Sequence, residues 1–129
     1  MADVALIVDD EKTIRDLLEA FLETEGYETY TASSGIEGLR QVYEKRPDVV
    51  ISDVVMPEMD GYEFCGLARE MCDVPIMMVT GVKAESNVLR FRSDIDDYML
   101  KPFDMNEFLK RVAGLISRSR CKQDSMTLR

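Results

Sequence analysis

The sequence predicts one α/β domain, in which five helices cover both faces of a doubly wound, five-stranded parallel sheet. Short apolar runs alternate with amphipathic stretches five times along the chain, and parallel strands require crossover connections of this kind. The length of 129 residues and the 46% share of hydrophobic residues fit a single body with a sizeable core. The 32% share of charged residues is ordinary for a globular protein.

The five strands are predicted from short runs rich in apolar and β-branched residues. The first, Val4 to Val8, is apolar throughout, as expected of a strand covered on both faces. The other four are expected at residues 28–32, 48–52, 75–79 and 97–100. Pro75 lies at the first position of its strand, where a missing backbone N–H is tolerated.

The helices are predicted from apolar residues that recur at steps of three and four. They are expected at about 12–25, from the N-cap Ser34 to before Pro47, from about Tyr62 to Met71, more weakly at 84–92, and after Asp104. Asp104 and Glu107 have the spacing of a capping box. The chain after Ser117 is polar and aperiodic, which predicts a domain over residues 1–118 and a flexible C-terminal tail over 119–129.

Composition excludes several classes of function. A formal net charge of −9 opposes binding to nucleic acid or to anionic membranes. The absence of histidine excludes a histidine-based triad and any phosphohistidine formed on this chain. Cys65, Cys72 and Cys121 lack the spacing of a disulfide framework or zinc site, and the apolar run at Val4 to Val8 is too short for a signal peptide. These features predict a cytoplasmic protein that binds neither nucleic acid nor membrane.

Polar side chains follow four of the predicted strands. Asp9 and Asp10 end the first strand, Asp53 the third, Thr80 the fourth and Lys101 the fifth. Each of these residues alone can be explained without a function, for example as a helix cap or as a solvated charge in a loop. The carboxyl ends of parallel strands meet at one edge of a sheet, where ligands bind in such folds. The five residues together therefore predict a functional site at that edge.

The order and spacing of these motifs carry a resemblance to a known family. The acidic pair, "DVVMPEMDG" from Asp53, "VTG" around Thr80 and "DDYMLKPF" around Lys101 resemble a response-regulator receiver domain of two-component signalling. The resemblance covers residues 3–117. It implies a flavodoxin-like sheet with the strand order 2-1-3-4-5.

The resemblance also implies a role for each site residue. It makes Asp53 the phosphoacceptor, which receives a phosphoryl group from a histidine kinase or a histidine phosphotransfer protein. The other implied roles are an Mg²⁺ (or Mn²⁺) site at Asp9, Asp10, Asp53 and the Val55 backbone carbonyl, phosphoryl contacts at Thr80, Gly81 and Lys101, a switch at Thr80 and Tyr98, and a cis peptide before Pro102. These residue types suit the chemistry, because Mg²⁺ prefers oxygen ligands and a carboxylate can attack phosphorus.

A receiver of this kind is a signalling switch, which catalyses its own phosphorylation and dephosphorylation but is not a turnover enzyme. The resemblance implies that a downstream target binds the predicted fourth helix, fifth strand and fifth helix, with a phosphorylation-dependent dimer as a further option. Gly61 is expected to supply backbone freedom to the Asp53 loop. Val55 and Val82 are aliphatic and cannot orient an attacking water, which predicts slow loss of the phosphoryl group.

One departure from the family pattern and two alternative functions stay open. Relatives often carry Gly-Ala where this chain has Asp94-Ile95, so the surface beside the predicted fourth helix differs. A phosphatase of the haloacid-dehalogenase kind would place its nucleophile after the first strand in a D-x-D pattern, which Asp9-Asp10-Glu11 lacks. A binding domain that keeps the fold but is not phosphorylated is the other alternative.

Overall fold

The structure, a computed structural model, describes residues 2–81 and 95–127. Five parallel strands form one sheet in the order β2-β1-β3-β4-β5. The strands are β1 (Val4–Val8), β2 (Glu28–Ala32), β3 (Val49–Asp53), β4 (Ile76–Thr80) and β5 (Asp97–Leu100). The described helices are α1 (Lys12–Thr24), α2 (Gly35–Lys45), α3 (Gly61–Met71) and the C-terminal α4 (Met105–Thr127). The predicted fold class and strand order are confirmed. The helix expected over 84–92 lies outside the described residues, as do Val82 and Asp94.

Two of the strands end one residue later than the sequence predicted. β3 ends at Asp53 and β4 at Thr80, so both residues belong to the sheet rather than to the loops that follow it. Asp53 pairs with Val79, and Thr80 pairs with Leu100. The sheet ladder therefore fixes the backbone of both polar residues.

The core has one apolar cluster on each face of the sheet. Alternate residues of β1 divide between them, as the two-residue period of a strand requires: Ile7 packs on the side of α1 and α4, and Val8 on the side of α2 and α3. Phe108 and Phe64 are fully buried on the two respective sides. Within the described residues no helix is long and apolar enough to cross a membrane.

Side-chain caps begin three of the helices. Ser34 accepts a hydrogen bond from the Glu37 N–H at 3.2 Å, and Asp60 accepts one from the Glu63 N–H at 2.9 Å. The third cap is Asp104, which accepts the Glu107 N–H at 3.0 Å, while the Glu107 side chain bonds Arg111 Nε at 2.8 Å. The predicted capping box is thus half formed. At the other end of α1, Gly26 has a φ of 82°, which glycine adopts without strain.

The C-terminal helix is longer than the sequence predicted. We expected it to end near Ser117, but α4 continues to Thr127. The stretch after Ser117 contains neither glycine nor proline, so polar composition alone gives no reason for the backbone hydrogen bonds to stop. Arg120 also forms an ion pair with Asp3, which attaches this part of the helix to the start of β1. A separate flexible tail over 119–129 stays a prediction.

Candidate functional site

The carboxyl edge of the sheet brings four of the predicted polar residues together in a largely buried position. The exposed fractions are 2% for Asp9, 6% for Asp53 and 0% for Thr80. Lys101 Nζ lies 3.5 Å from Asp9 Oδ2 and 3.7 Å from Asp53 Oδ2. One ammonium group therefore faces two buried carboxylates.

Asp10 completes an acidic cluster at the same edge. Carboxylate oxygens of Asp9, Asp10 and Asp53 all lie within 4.8 Å of one another, and Asp10 is the exposed member. Three hard oxygen donors in this arrangement match the ligands preferred by Mg²⁺ and Mn²⁺. The donor set therefore fits the divalent cation that the sequence predicted.

The two buried carboxyl groups of this cluster, Asp9 and Asp53, have raised pKa values. Burial, and then the charge of Asp9, raise the pKa of Asp53 to about 6, although Lys101 and the backbone N–H groups of Val54 and Val55 oppose the rise. Burial also raises the pKa of Asp9, against the Glu11 N–H and Lys101. The nearby positive charge is thus too small to compensate the buried negative charge, and a bound cation would favour the ionised carboxylates.

The loop after β3 passes so close to the start of α3 that no side chain fits at Gly61. An ideal Cβ on Gly61 would lie 2.1 Å from the Asp53 carbonyl oxygen and 2.9 Å from Val54 Cα. The Gly61 N–H donates to the Val54 carbonyl at 2.7 Å. The φ angle of Gly61 is not in the left-handed region, so the expectation of backbone freedom was wrong. Glycine is needed here because two backbone segments touch.

The ends of β4 and β5 are joined beside the acidic cluster. The Lys101 N–H donates to the Thr80 carbonyl at 2.8 Å, and the peptide bond between Lys101 and Pro102 is cis. Gly81 is exposed, and an added Cβ would meet no atom of the described residues within 4 Å. Tyr98 is half-buried against the apolar cluster on the α2 and α3 side.

Val55 lies in the loop after Asp53 and is 57% exposed. The structure thus brings Asp9, Asp10, Asp53 and Lys101 into one cluster, with Thr80 at the end of the neighbouring strand. The peptide bond before Pro102 is cis, as predicted. The chemical roles expected of the other residues, including Val55, Gly81 and Tyr98, stay predictions.

Comparison with known proteins identifies the family. A family model described as the response regulator receiver domain matches residues 5–113. The chain belongs to the response regulator receiver family. The receiver is similar to a response regulator receiver domain protein from Clostridium thermocellum, with 29% identity, a TM-score of 0.85, and coverage of 92% of this chain and 98% of that one.

Two further solved structures are similar to this receiver. The Vibrio cholerae chemotaxis protein CheY4 has 32% identity and a TM-score of 0.82, with coverage of 89% of this chain and 99% of that one. The response regulator protein TrrA from Thermotoga maritima, solved in complex with Mg²⁺-BeF, has 35% identity and a TM-score of 0.81, with coverage of 88% and 98%. The resemblance stated from the motifs is therefore confirmed.

Sequence reasoning missed one residue that contacts the acidic loop of this receiver. Arg15 of α1 donates a hydrogen bond from Nη1 to the Asp9 backbone carbonyl at 2.7 Å. The only signal in the sequence is its position in the first turn of a helix, where a positive charge is opposed by the helix dipole. A backbone acceptor has no sequence signature, so this partner could not be read from the residues.

Proposed function

We propose that this receiver is a phosphorylation-controlled switch, in which Asp53 accepts a phosphoryl group from a histidine of a partner kinase or phosphotransfer protein. The observation that carries the proposal is the buried Asp53 carboxylate with the Lys101 ammonium 3.7 Å away and two further carboxylates beside it. The bond between the donor nitrogen and phosphorus breaks as a bond from an Asp53 oxygen to phosphorus forms. Because the chain contains no histidine, the donor must belong to a partner.

The two oxygens of Asp53 have different surroundings, which supports one of them as the nucleophile. Oδ1 accepts the Val54 N–H at 2.8 Å, whereas Oδ2 faces Lys101 Nζ. Attack from Oδ2 would leave the Val54 hydrogen bond intact and would bring the phosphoryl oxygens towards the ammonium group. With its pKa at about 6, Asp53 is mostly ionised at neutral pH, so it is in the nucleophilic form.

The carboxylates of Asp9, Asp10 and Asp53 and the backbone carbonyl of Val55 would hold Mg²⁺ or Mn²⁺. Such an ion neutralises charge on the oxygens of a transferring phosphoryl group. The fit rests on the three carboxylates, whose oxygens lie within 4.8 Å of one another. The Thermotoga maritima relative, solved in complex with Mg²⁺-BeF, supports the proposal of a divalent cation site in this chain.

Other residues of the chain would bind the phosphoryl oxygens and transmit the effect of phosphorylation to the binding surface. The Lys101 ammonium would contact one oxygen, the Thr80 hydroxyl a second, and the Gly81 N–H a third. Movement of Thr80 and of Tyr98 would then alter the surface of β5, α4 and the predicted helix over 84–92, where a downstream target or a second copy binds. The receiver modifies itself and is not a turnover enzyme, and we expect it to act in the cytoplasm.

The test is to incubate the full chain with Mg²⁺ and acetyl phosphate and to locate any labile adduct by mass spectrometry. We expect an adduct of one phosphoryl group on Asp53, no adduct in the presence of EDTA, and none in the Asp53→Asn variant. Modification of Asp9 or Asp10 would instead favour a phosphatase, and no modification at all would favour a binding domain that works without phosphorylation.

A further inference from the structure

Arg15 lies one turn into α1, and its guanidinium reaches back to the loop that carries the acidic pair. Its Nη1 donates a hydrogen bond of 2.7 Å, in a partly buried position, to the backbone carbonyl of Asp9. In residues 2–81 and 95–120, Arg15 forms no ion pair with a carboxylate. The guanidinium therefore binds the backbone of the acidic loop rather than its side chains.

The remaining polar groups of Asp9 are also held. Its N–H donates to the Ala32 carbonyl at 3.1 Å, and its Oδ1 accepts the Glu11 N–H at 2.9 Å. With Oδ2 facing Lys101 at 3.5 Å, every hydrogen-bonding group of Asp9 has a partner. Asp9 is thus fixed in orientation from its backbone to the end of its side chain.

Asp10 differs from Asp9 in this respect. It is exposed, and its carboxylate accepts no hydrogen bond from the described residues, although it lies within 4.8 Å of the carboxylates of Asp9 and Asp53. The peptide unit between Asp9 and Asp10 is planar. A donor that fixes the Asp9 carbonyl oxygen therefore also fixes the direction in which the chain enters Asp10.

We infer that Arg15 is a positioning residue for the metal site: by bonding the Asp9 carbonyl, it holds the Asp9-Asp10 peptide so that the Asp10 carboxylate faces Asp9 and Asp53. This inference rests on the proposed function, since it presumes a divalent cation at these carboxylates. Groups that orient ligands without touching the metal have measurable effects on affinity.

Charge alone predicts the opposite effect from positioning. A guanidinium close to the site repels a cation, so removing it should strengthen Mg²⁺ binding if only Coulomb interactions matter. If Arg15 instead holds Asp10 in place, its removal should weaken Mg²⁺ binding in spite of the lost repulsion. The sign of the change therefore separates the two explanations.

The experiment measures the Kd for Mg²⁺ by titration calorimetry on the full chain at fixed pH and ionic strength. We expect Arg15→Met to bind Mg²⁺ about 10-fold or more weakly than wild type, as for other groups that orient metal ligands. The matched control is Lys12→Met, because Lys12 is 78% exposed on the same helix and pairs only with Asp16 among the described residues. It removes the same charge without touching the loop, so its Kd should be unchanged or slightly lower.

Two more variants complete the test. In Arg15→Gln the new side chain favours helix but is too short to reach the Asp9 carbonyl, so Mg²⁺ binding should weaken as it does in Arg15→Met. Arg15→Gln takes the place of Arg15→Met if Arg15→Met does not fold. Arg15→Lys keeps the positive charge and a group that can donate a hydrogen bond, so it should recover part of the affinity. Unfolding in EDTA, followed by circular dichroism, checks that each variant is folded.

A Kd for Arg15→Met or Arg15→Gln equal to or lower than that of wild type would overturn the role of Arg15 and leave the proposed function intact. A loss of stability in EDTA with an unchanged Kd would also overturn it, because that pattern marks a purely structural contact. If wild type itself bound no Mg²⁺, both the proposed function and this inference would fail.

Discussion

Asp53→Asn should stabilise the metal-free protein, although it removes the residue that we propose as the phosphoacceptor. The asparagine keeps an oxygen that can accept the Val54 N–H, which Asp53 Oδ1 accepts at 2.8 Å. Lys101 keeps its contact with Asp9 at 3.5 Å. The substitution therefore removes one buried negative charge and leaves the remaining ammonium and carboxylate paired.

The size of the effect follows from the pKa of Asp53, which is raised from 3.8 to about 6. A tenfold change in proton affinity corresponds to ~1.4 kcal/mol, so ionised Asp53 costs the folded protein at most about 3 kcal/mol at neutral pH. Lys101 is 20% exposed and Asp10 borders solvent, so screening reduces this value. We expect Asp53→Asn to gain about 1–2 kcal/mol in the free energy of unfolding, or about 3–8 °C in Tm.

The pH dependence provides a second readout. Because the folded pKa of Asp53 lies above its unfolded value, the folded state holds the proton more tightly between pH 3.8 and about 6. The contribution of protonated Asp53 to stability is therefore fully present below its unfolded pKa of 3.8. It is lost as the pH rises through its folded pKa of about 6. In EDTA the advantage of Asp53→Asn over wild type should be absent near pH 4 and complete above about pH 7.

Urea unfolding in EDTA, repeated between pH 4 and pH 7.5, measures both the gain in the free energy of unfolding and its dependence on pH. Asp16→Asn is the control, because Asp16 is an exposed α1 carboxylate and its loss should change stability by less than about 0.5 kcal/mol. Adding Mg²⁺ should stabilise wild type more than Asp53→Asn. If Asp53→Asn were no more stable than wild type in EDTA at pH 7.5, that result would refute the reasoning, because the buried charge of Asp53 would not destabilise the folded protein.

Three further predictions concern other positions of the chain, and Gly114→Ala is the control for the first. Gly61→Ala should destabilise the protein by about 2 kcal/mol or more in urea unfolding, because its Cβ would lie 2.1 Å from the last carbonyl oxygen of β3. By contrast, Gly114→Ala should stabilise α4 by up to about 1 kcal/mol, since a Cβ there meets no atom of residues 2–81 and 95–127 within 4 Å; equal effects of the two glycine substitutions would contradict both predictions. Lys101→Met should lower the Kd for Mg²⁺ yet slow phosphorylation by acetyl phosphate, because it removes a competing cation and the proposed phosphoryl contact; a higher Kd would count against this. The double variant Val55→Asn, Val82→Glu should lose its phosphoryl group faster than wild type, as measured by decay of the adduct; an equal or longer lifetime would refute the role given to the valines.

The sequence predicted the part of the site that depends on strand ends. Asp9, Asp53, Thr80 and Lys101 could be assigned to one edge because parallel strands carry their carboxyl ends together, and the strand order came from the family resemblance. Each residue directly follows a predicted strand whose length and position are visible in the sequence. One residue of error at the ends of β3 and β4 did not alter this edge.

Features that depend on close contacts with backbone atoms could not be predicted from the sequence. The contact of Arg15 with the Asp9 carbonyl joins a side chain to a backbone atom, and every residue offers such an acceptor. The need for glycine at position 61 arises from two backbone segments that meet only in the folded chain. The extension of α4 beyond Ser117 was missed for a different reason, because polar composition does not by itself end a helix and this stretch contains neither glycine nor proline.

The charges at the carboxyl edge support the proposal that the site requires a divalent cation before it can accept a phosphoryl group. Three carboxylates and one ammonium group carry −3 and +1, or −2 together, when all are ionised. A phosphoryl donor is itself an anion, so Coulomb repulsion opposes its approach to this edge. Lys101 cannot remove that repulsion alone, because it already compensates Asp9 and Asp53. A cation of charge +2 would bring the sum over these four side chains to zero, which a monovalent ion at the same position would not do.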